Sequence, residues 1–362
     1  MRCVMALVLT LCPLPAWAGF ELENIAEGVY VARRTEPAGL MVDANSVIIV
    51  NERDVVVVDA NVGPSSAKEV LAALRKLTDK PVRYVVNTHW HDDHVLGNQV
   101  YRDAFPGVEF VGHRVMGEYL PAQGLKNRQN MLSGAPAGVA MLKSLLEKSR
   151  GMDGKPLAPE TRASYESDVK LVERYLAETP AVEIVAPTVT FEERFTLRRG
   201  SRVIEVIHLG RGHTAGDIVV HLAGDNIVAT GDLVVWPVPL IGGPQSYVHE
   251  WSATLEKLLA LKPAIMVPGH GPVMRDNRYA RQMISLFDAI SGQACAAKAR
   301  GELEETARKG MKLEDLRREF AADDQVRNAL FSQYVVGPGV AAIYREGANA
   351  CGSREIKPAK AG

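Results

Sequence analysis

The chain has 362 residues, with 42 Lys and Arg against 43 Asp and Glu, a formal net charge of −1. So even a balance leaves no global basic field for holding nucleic acid. Hydrophobic residues make up 47% of the chain, which fits a globular protein of one large domain or two small ones and excludes a disordered chain.

Residues 1–18 read as an export signal. Arg2 gives the positive start, Val4 to Leu11 the apolar stretch, and Ala16-Trp17-Ala18 a small-x-small cleavage site. The stretch is too short to span a bilayer, and no later apolar run reaches that length, so no stable membrane insertion is expected. Cleavage after Ala18 predicts a periplasmic or secreted protein. Strand-like runs follow at Val29-Arg33, Asn45-Val50 and Val55-Val58. Ser65 to Leu77 places Val70, Leu71, Leu74 and Leu77 on one helical face. Val82 to Thr88 is a buried strand, and His89-Trp90-His91-Asp92-Asp93-His94 leaves its carboxyl end. A helix from Asp93 through Asn98 and Tyr101 comes next, then a strand at Glu109-Val111.

Three imidazoles within six residues, with carboxylates between them, are a donor density that packing does not require. Residues two apart in extended backbone face the same way, so His89 and His91 point at one ion. The turn after them aims Asp93 and His94 at a second. Imidazole with carboxylate suits zinc, and iron or manganese is compatible with the same donors.

Residues 114–179 form a helical, charged insertion with amphipathic stretches around Leu142 to Leu146 and Val169 to Leu176. Its position after the metal motif makes it a candidate pocket wall, with residues 134–139 expected to stay mobile. Strands are then predicted at Glu183-Val185, Phe195-Leu197, Val203-Ile207, Ile218-Leu222 and Ile227-Ala229. A helix follows over Glu250-Leu261 and a last strand over Ala264-Val267. Three further donors sit beside glycine after these strands: His213, Asp232 and His270. Trp236 and Tyr247, in a Pro/Gly-rich segment after Asp232, are candidates for a substrate wall, as are His113 and His249. His208 could support the site, while His221 reads as structural. Past residue 275 the chain is helical over Arg278-Arg300, Glu302-Phe320 and Asp324-Tyr334. Cys295 and Cys351 remain once the signal is removed, and their spacing fits a bridge or two free thiols equally.

The donors His89, His91, Asp93 and His94, followed by His213, Asp232 and His270, resemble the metallo-β-lactamase superfamily over about Val29 to Val273. The resemblance implies a four-layer αβ/βα sandwich holding two Zn2+ per chain. His89, His91 and His213 would hold the first ion and Asp93, His94 and His270 the second, with Asp232 bridging. Asp93 would also orient a metal-bound hydroxide for attack on a small ester, thioester, lactone or lactam. Aspartate at 232 resembles the glyoxalase II and lactonase branches, because zinc β-lactamases usually carry cysteine or serine there. A β-lactamase, or a non-catalytic metal-binding accessory protein of a periplasmic pathway, remains an alternative. The expected organisation is a signal over 1–18, a metallo-β-lactamase-like domain over 19–275 and a helical extension over 276–362. The partner is a small-molecule substrate; the sequence does not set the oligomeric state.

Overall fold

The computed structural model describes residues 19–34, 43–242, 245–346 and 351. The expected export signal lies outside these residues. Among them, seven strands form the first sheet in sequential order: β1 (Phe20–Ala26), β2 (Val29–Arg34), β3 (Ser46–Val50), β4 (Val55–Val58), β5 (Val82–Val86), β6 (Glu109–His113) and β7 (Val189–Phe191). The first four pair antiparallel and the last four parallel. Parallel neighbours need crossovers. These are α1 (Pro64–Leu77) before β5, and α2 (Asp92–Val95) with α3 (Asn98–Ala104) before β6. The link from β6 to β7 is the insertion, carrying α4 (Met116–Tyr119), α5 (Leu125–Lys148) and α6 (Pro159–Glu178).

The second sheet holds β8 (Arg194–Arg199), β9 (Arg202–Ile207), β10 (Val219–Leu222), β11 (Ile227–Val235) and β12 (Ile265–His270), in the order β12-β11-β10-β9-β8. Only the β11–β12 pair among these is parallel, and α7 (Val248–Ala260) makes its crossover. The extension adds α8 (Arg278–Ala299), α9 (Glu304–Lys309), α10 (Glu314–Ala321), α11 (Gln325–Phe331) and α12 (Gly337–Arg345).

Strand parity explains the layering. In β3 and β4, Val47, Ile49, Val56 and Val58 join the cluster between the sheets, together with Ile204, Val206, Val220 and Ile227 of the second sheet. Their alternates Ile48, Val55 and Val57 pack under α1 and α3, against Val70, Leu74 and Tyr101. Strands buried on both faces read as continuous apolar runs, as Val55-Val56-Val57-Val58 does. On the far side, Val219 and Val228 pack against Trp251 and Leu255 of α7 and the Met283, Leu286, Phe287 and Ile290 face of α8. Trp251 and Phe287 stack with centroids 4.6 Å apart. This is an α/β sandwich of two sheets with helices outside, carrying extra carboxyl-terminal helices. Cys295 of α8 is disulfide-bonded to Cys351.

Several expectations change. Glu183-Val185 is not a strand. Its carbonyl at Val185 accepts from the Asn98 side chain, and the ladder is made later, by β7 on β6. The helix expected from Asp93 to Tyr101 breaks at Gly97. A Cβ there would lie 1.8 Å from the Ala60 carbonyl oxygen, so that close approach holds the chain out of a continuous helix. Residues 134–139 lie in the middle of α5, with Pro136 inside it. The helix expected over Glu302-Phe320 is two, α9 and α10, separated at Gly310. Asp324 starts α11 by accepting a hydrogen bond from the Arg327 amide. No helix of the described residues is long and apolar enough to cross a membrane.

Candidate metal centre

The donors converge where strands of both sheets end, as ligand sites do in open α/β folds. His89, His91, Asp93 and His94 follow β5, His213 follows β9, and His270 is the last residue of β12. Asp232 lies inside β11, where the register against β12 slips on both sides of Gly231. That irregularity, with Gly231 at φ 50°, re-aims the following side chain.

Two groups result: His89, His91, His213 and Asp232, and Asp93, His94, Asp232 and His270. Within each, one donor atom per residue lies within 4.8 Å of the others. Asp232 belongs to both. Its Oδ2 lies 3.4 Å from His213 Nε2 and 3.9 Å from His89 Nε2. Its Oδ1 lies 3.2 Å from His94 Nε2 and 3.3 Å from His270 Nε2. Asp93 Oδ2 is 3.1 Å from His270 Nε2, and His91 Nδ1 is 2.8 Å from His213 Nε2.

The donor set fits divalent cations on a direct test. His89 Nε2, His94 Nε2, His270 Nε2 and Asp232 Oδ1 are buried without a hydrogen-bond partner in the protein, a costly arrangement unless a ligand satisfies them. The opposite ring nitrogens are occupied. His94 Nδ1 is 2.8 Å from Asp59 Oδ2, His213 Nδ1 is 2.8 Å from the Leu240 carbonyl, and His270 Nδ1 is 3.2 Å from the Asp43 carbonyl. A carbonyl or carboxylate accepts here, so Nδ1 carries a proton and Nε2 is the atom left to face a metal.

Electrostatics separates the two groups. Burial, with His213 next to it, pushes His91 down to about 3. Burial likewise lowers His89 and His213, so the first group presents neutral imidazoles, the state that binds metal. At His270 burial pulls the other way, but the Asp232 and Asp93 carboxylates prevail and raise it to about 10. His94 is raised by Asp59 and Asp232 against the same burial. The second group therefore holds positive charge between its carboxylates, the place a cation takes when it displaces those protons.

Sequence reasoning missed the residues that orient these donors. Asp59 also accepts from the Thr88 amide and hydroxyl, both at 2.8 Å. Asp59 and Asn61 have φ of 62° and 70°, a left-handed conformation uncommon outside glycine and a form of stored strain. The available signal was a lone aspartate directly after four valines. Asp92 belongs to neither donor group. It accepts from Arg128 Nη2 at 2.7 Å and from the Tyr175 hydroxyl at 2.8 Å, which ties α5 and α6 of the insertion to the metal motif.

A cavity of about 340 Å³ opens on the donors. His91, Asp93, His213 and Asp232 form part of its lining, Asn127, Met131 and Tyr175 come from the insertion, and Tyr334 comes from the extension. The four residues expected to face a substrate lie outside this lining. Trp236 packs against Gly271 and under the Arg327 guanidinium, 4.8 Å from its ring centre. Tyr247 is covered by Arg211 at 4.0 Å. His249 is paired with Glu250 and Glu346. His113 Nε2 lies 2.9 Å from the Glu192 carbonyl, with its ring 4.4 Å from His208. His221 pairs with Glu205.

The sandwich, its strand-end donors and the shared aspartate define a metal-dependent hydrolase, and the chain belongs to the metallo-beta-lactamase superfamily, whose family model matches residues 41–270. Among curated relatives, it is similar to a linear primary-alkylsulfatase of Pseudomonas sp. (strain ATCC 19151), 24% identical over 65% of this chain but only 43% of that protein. A metallo-beta-lactamase type 2 of Bacillus cereus is 24% identical over 65% of this chain and 70% of its own length. Among solved structures, the metallo-beta-lactamase from Pontibacter korlensis superposes with a TM-score of 0.51 at 20% identity, covering 74% of this chain and 98% of that one. The metallo-beta-lactamase FIM-1 from Pseudomonas aeruginosa, in a mono-zinc form, gives 0.52 at 14% identity, covering 75% and 96%. At such identities the structural likeness is one of fold.

Proposed function

We propose that the protein is an exported binuclear zinc hydrolase that cleaves a small ester, thioester, lactone or lactam. The observation that carries this reading is the division of Asp232, one carboxylate oxygen toward each donor group. His89, His91 and His213 would hold one ion, Asp93, His94 and His270 the other, and Asp232 would bridge them. Metal bound there would supply Lewis acidity and lower the pKa of water toward neutrality. Asp93, which lies in the cavity lining and beside His270, would orient the attacking water. Trp90 and Tyr175 line the same cavity and would present aromatic surface to a bound substrate.

The catalytic domain spans 19–275 with its insertion over about 114–179. The described part of the extension, 276–346, packs on α7 and reaches the site, because Tyr334 lines the cavity and its carbonyl accepts from the Ile241 amide at 3.1 Å. Export is supported by the leader-like residues 1–18 and by the Cys295–Cys351 disulfide, since disulfides persist in oxidising compartments. A complete donor set argues for catalysis rather than an accessory role. The test is metal analysis with zinc titration, followed by a chromogenic panel of esters, thioesters, lactones, β-lactams and, given the alkylsulfatase relative, sulfate esters. Two zinc equivalents with chelator-sensitive turnover of a carbonyl substrate are expected. Saturation at one equivalent, or no turnover of any carbonyl substrate, would overturn the proposal.

A further inference from the structure

The cavity walls around the metal donors carry no positive charge. Among the described lining residues there is no lysine or arginine. Two arginines adjoin it in sequence: Arg128, after Asn127, is paired with Asp92 at 2.7 Å, and Arg174, before Tyr175, with Glu69 at 3.7 Å. Away from the donors the wall is mostly apolar or aromatic, with Val62, Trp90, Met131, Leu240, Tyr175 and Tyr334, and its polar side chains, Asn127 and Asp92, bring no cation. A volume near 340 Å³ sits at the small end of the range for ligand pockets, about 300–1,000 Å³.

A charged group on the part of a substrate that does not react would face these side chains without a counter-ion. Burying an unpaired carboxylate is far more costly than burying a methyl. An apolar group in the same place gains by leaving water. We propose that the cavity selects substrates whose non-reacting side is a compact, uncharged, apolar group, and that Met131 of the insertion is a specificity-determining residue of that wall. This rests on the hydrolase reading for the placement of the reacting group at the metal donors. It sets the protein against carbonyl substrates that carry a second carboxylate or a sulfonate.

The test uses the zinc-loaded full chain and two probes of equal length, butyrohydroxamate and succinate monohydroxamate, which differ by a methyl against a carboxylate. Their affinities are measured by calorimetry, and turnover is followed on the matching p-nitrophenyl butyrate and p-nitrophenyl hydrogen succinate. The parent should bind the butyrate probe roughly tenfold or more tightly than the succinate probe, the cost of leaving a carboxylate unpaired. Met131 is 40% exposed on α5, so Met131→Lys is compatible with folding. Its ammonium should shrink that ratio by about threefold or more, and Met131→Gln, without charge, should not. A parent ratio near one overturns the proposal, as does a ratio that Met131→Lys leaves unchanged. If the hydroxamate preference holds while neither ester is hydrolysed, the hydrolase reading fails and the wall chemistry does not. If both esters are hydrolysed equally well and both hydroxamates bind alike, the reverse is true.

Discussion

Replacing Arg128 by methionine tests whether the insertion is a structural part of the metal site. The guanidinium is 9% exposed and the Asp92 carboxylate 19%, so the substitution strands a mostly buried carboxylate. Removing one partner of a buried pair costs about 3–5 kcal/mol. Asp92 keeps the hydrogen bond from Tyr175 and some water, which places the loss at the low end, about 3 kcal/mol. Methionine retains much of the aliphatic packing, so the effect isolates the charge. At about 2.1 cal/mol/K per residue over roughly 340 residues, the unfolding entropy near Tm is ~0.7 kcal/mol/K, and Tm should fall by about 4 °C. Asp92 sits between the donors His91 and Asp93, so kcat should fall roughly tenfold as their alignment loosens, with two zinc ions still bound. Calorimetric melting of the zinc-loaded protein, metal analysis and steady-state kinetics make the comparison, and a cycle with Asp92→Asn separates the pair from its parts. A Tm within 1 °C of the parent with unchanged kcat would refute the argument that this pair joins insertion to site.

Other outcomes follow from the same geometry. Asp232→Asn should fold but bind the second zinc more weakly, since one negative charge between two cations is lost; turnover near parental levels at limiting zinc would contradict the bridging role. Gly269→Ala would place a Cβ 2.0 Å from Asp232 Oδ1, so zinc affinity should drop even though no donor is changed, and an unaltered zinc titration would count against the placement of that carboxylate. Cys295→Ser opens a loop closed over a separation of 56 residues, which chain entropy values at up to about 4 kcal/mol; the parent with dithiothreitol should melt like the variant, and no difference between oxidised parent and variant would deny the bridge a stabilising role. Replacing 114–179 by a short linker should leave zinc stoichiometry intact while raising KM or altering substrate preference. An unchanged profile would reduce the insertion to an outer decoration.

The sequence by itself determined the donors and the strands that carry them. His89 to His94 lie within six residues, so their spacing is a matter of local backbone, and β-branched runs such as 55–58 announce strands buried on both faces. The later donors were legible because each lies beside glycine after an apolar run, although the structure extends β11 through Asp232. What only the tertiary structure decided is what surrounds them. Asp59 reaches His94 across 35 positions of chain, and Arg128 reaches Asp92 across 36. Tyr175 and Tyr334 meet over one cavity from opposite ends of the added helices. No period or spacing encodes such meetings, because they arise when separate elements pack. Trp236, Tyr247, His113 and His249 show the converse. Each has a place in the chain that suggests the pocket, yet cation–π contacts, ion pairs or a backbone carbonyl hold it outside the cavity lining. Proximity along the chain sets a residue's neighbourhood, and the packing of distant segments sets the direction in which its side chain is used.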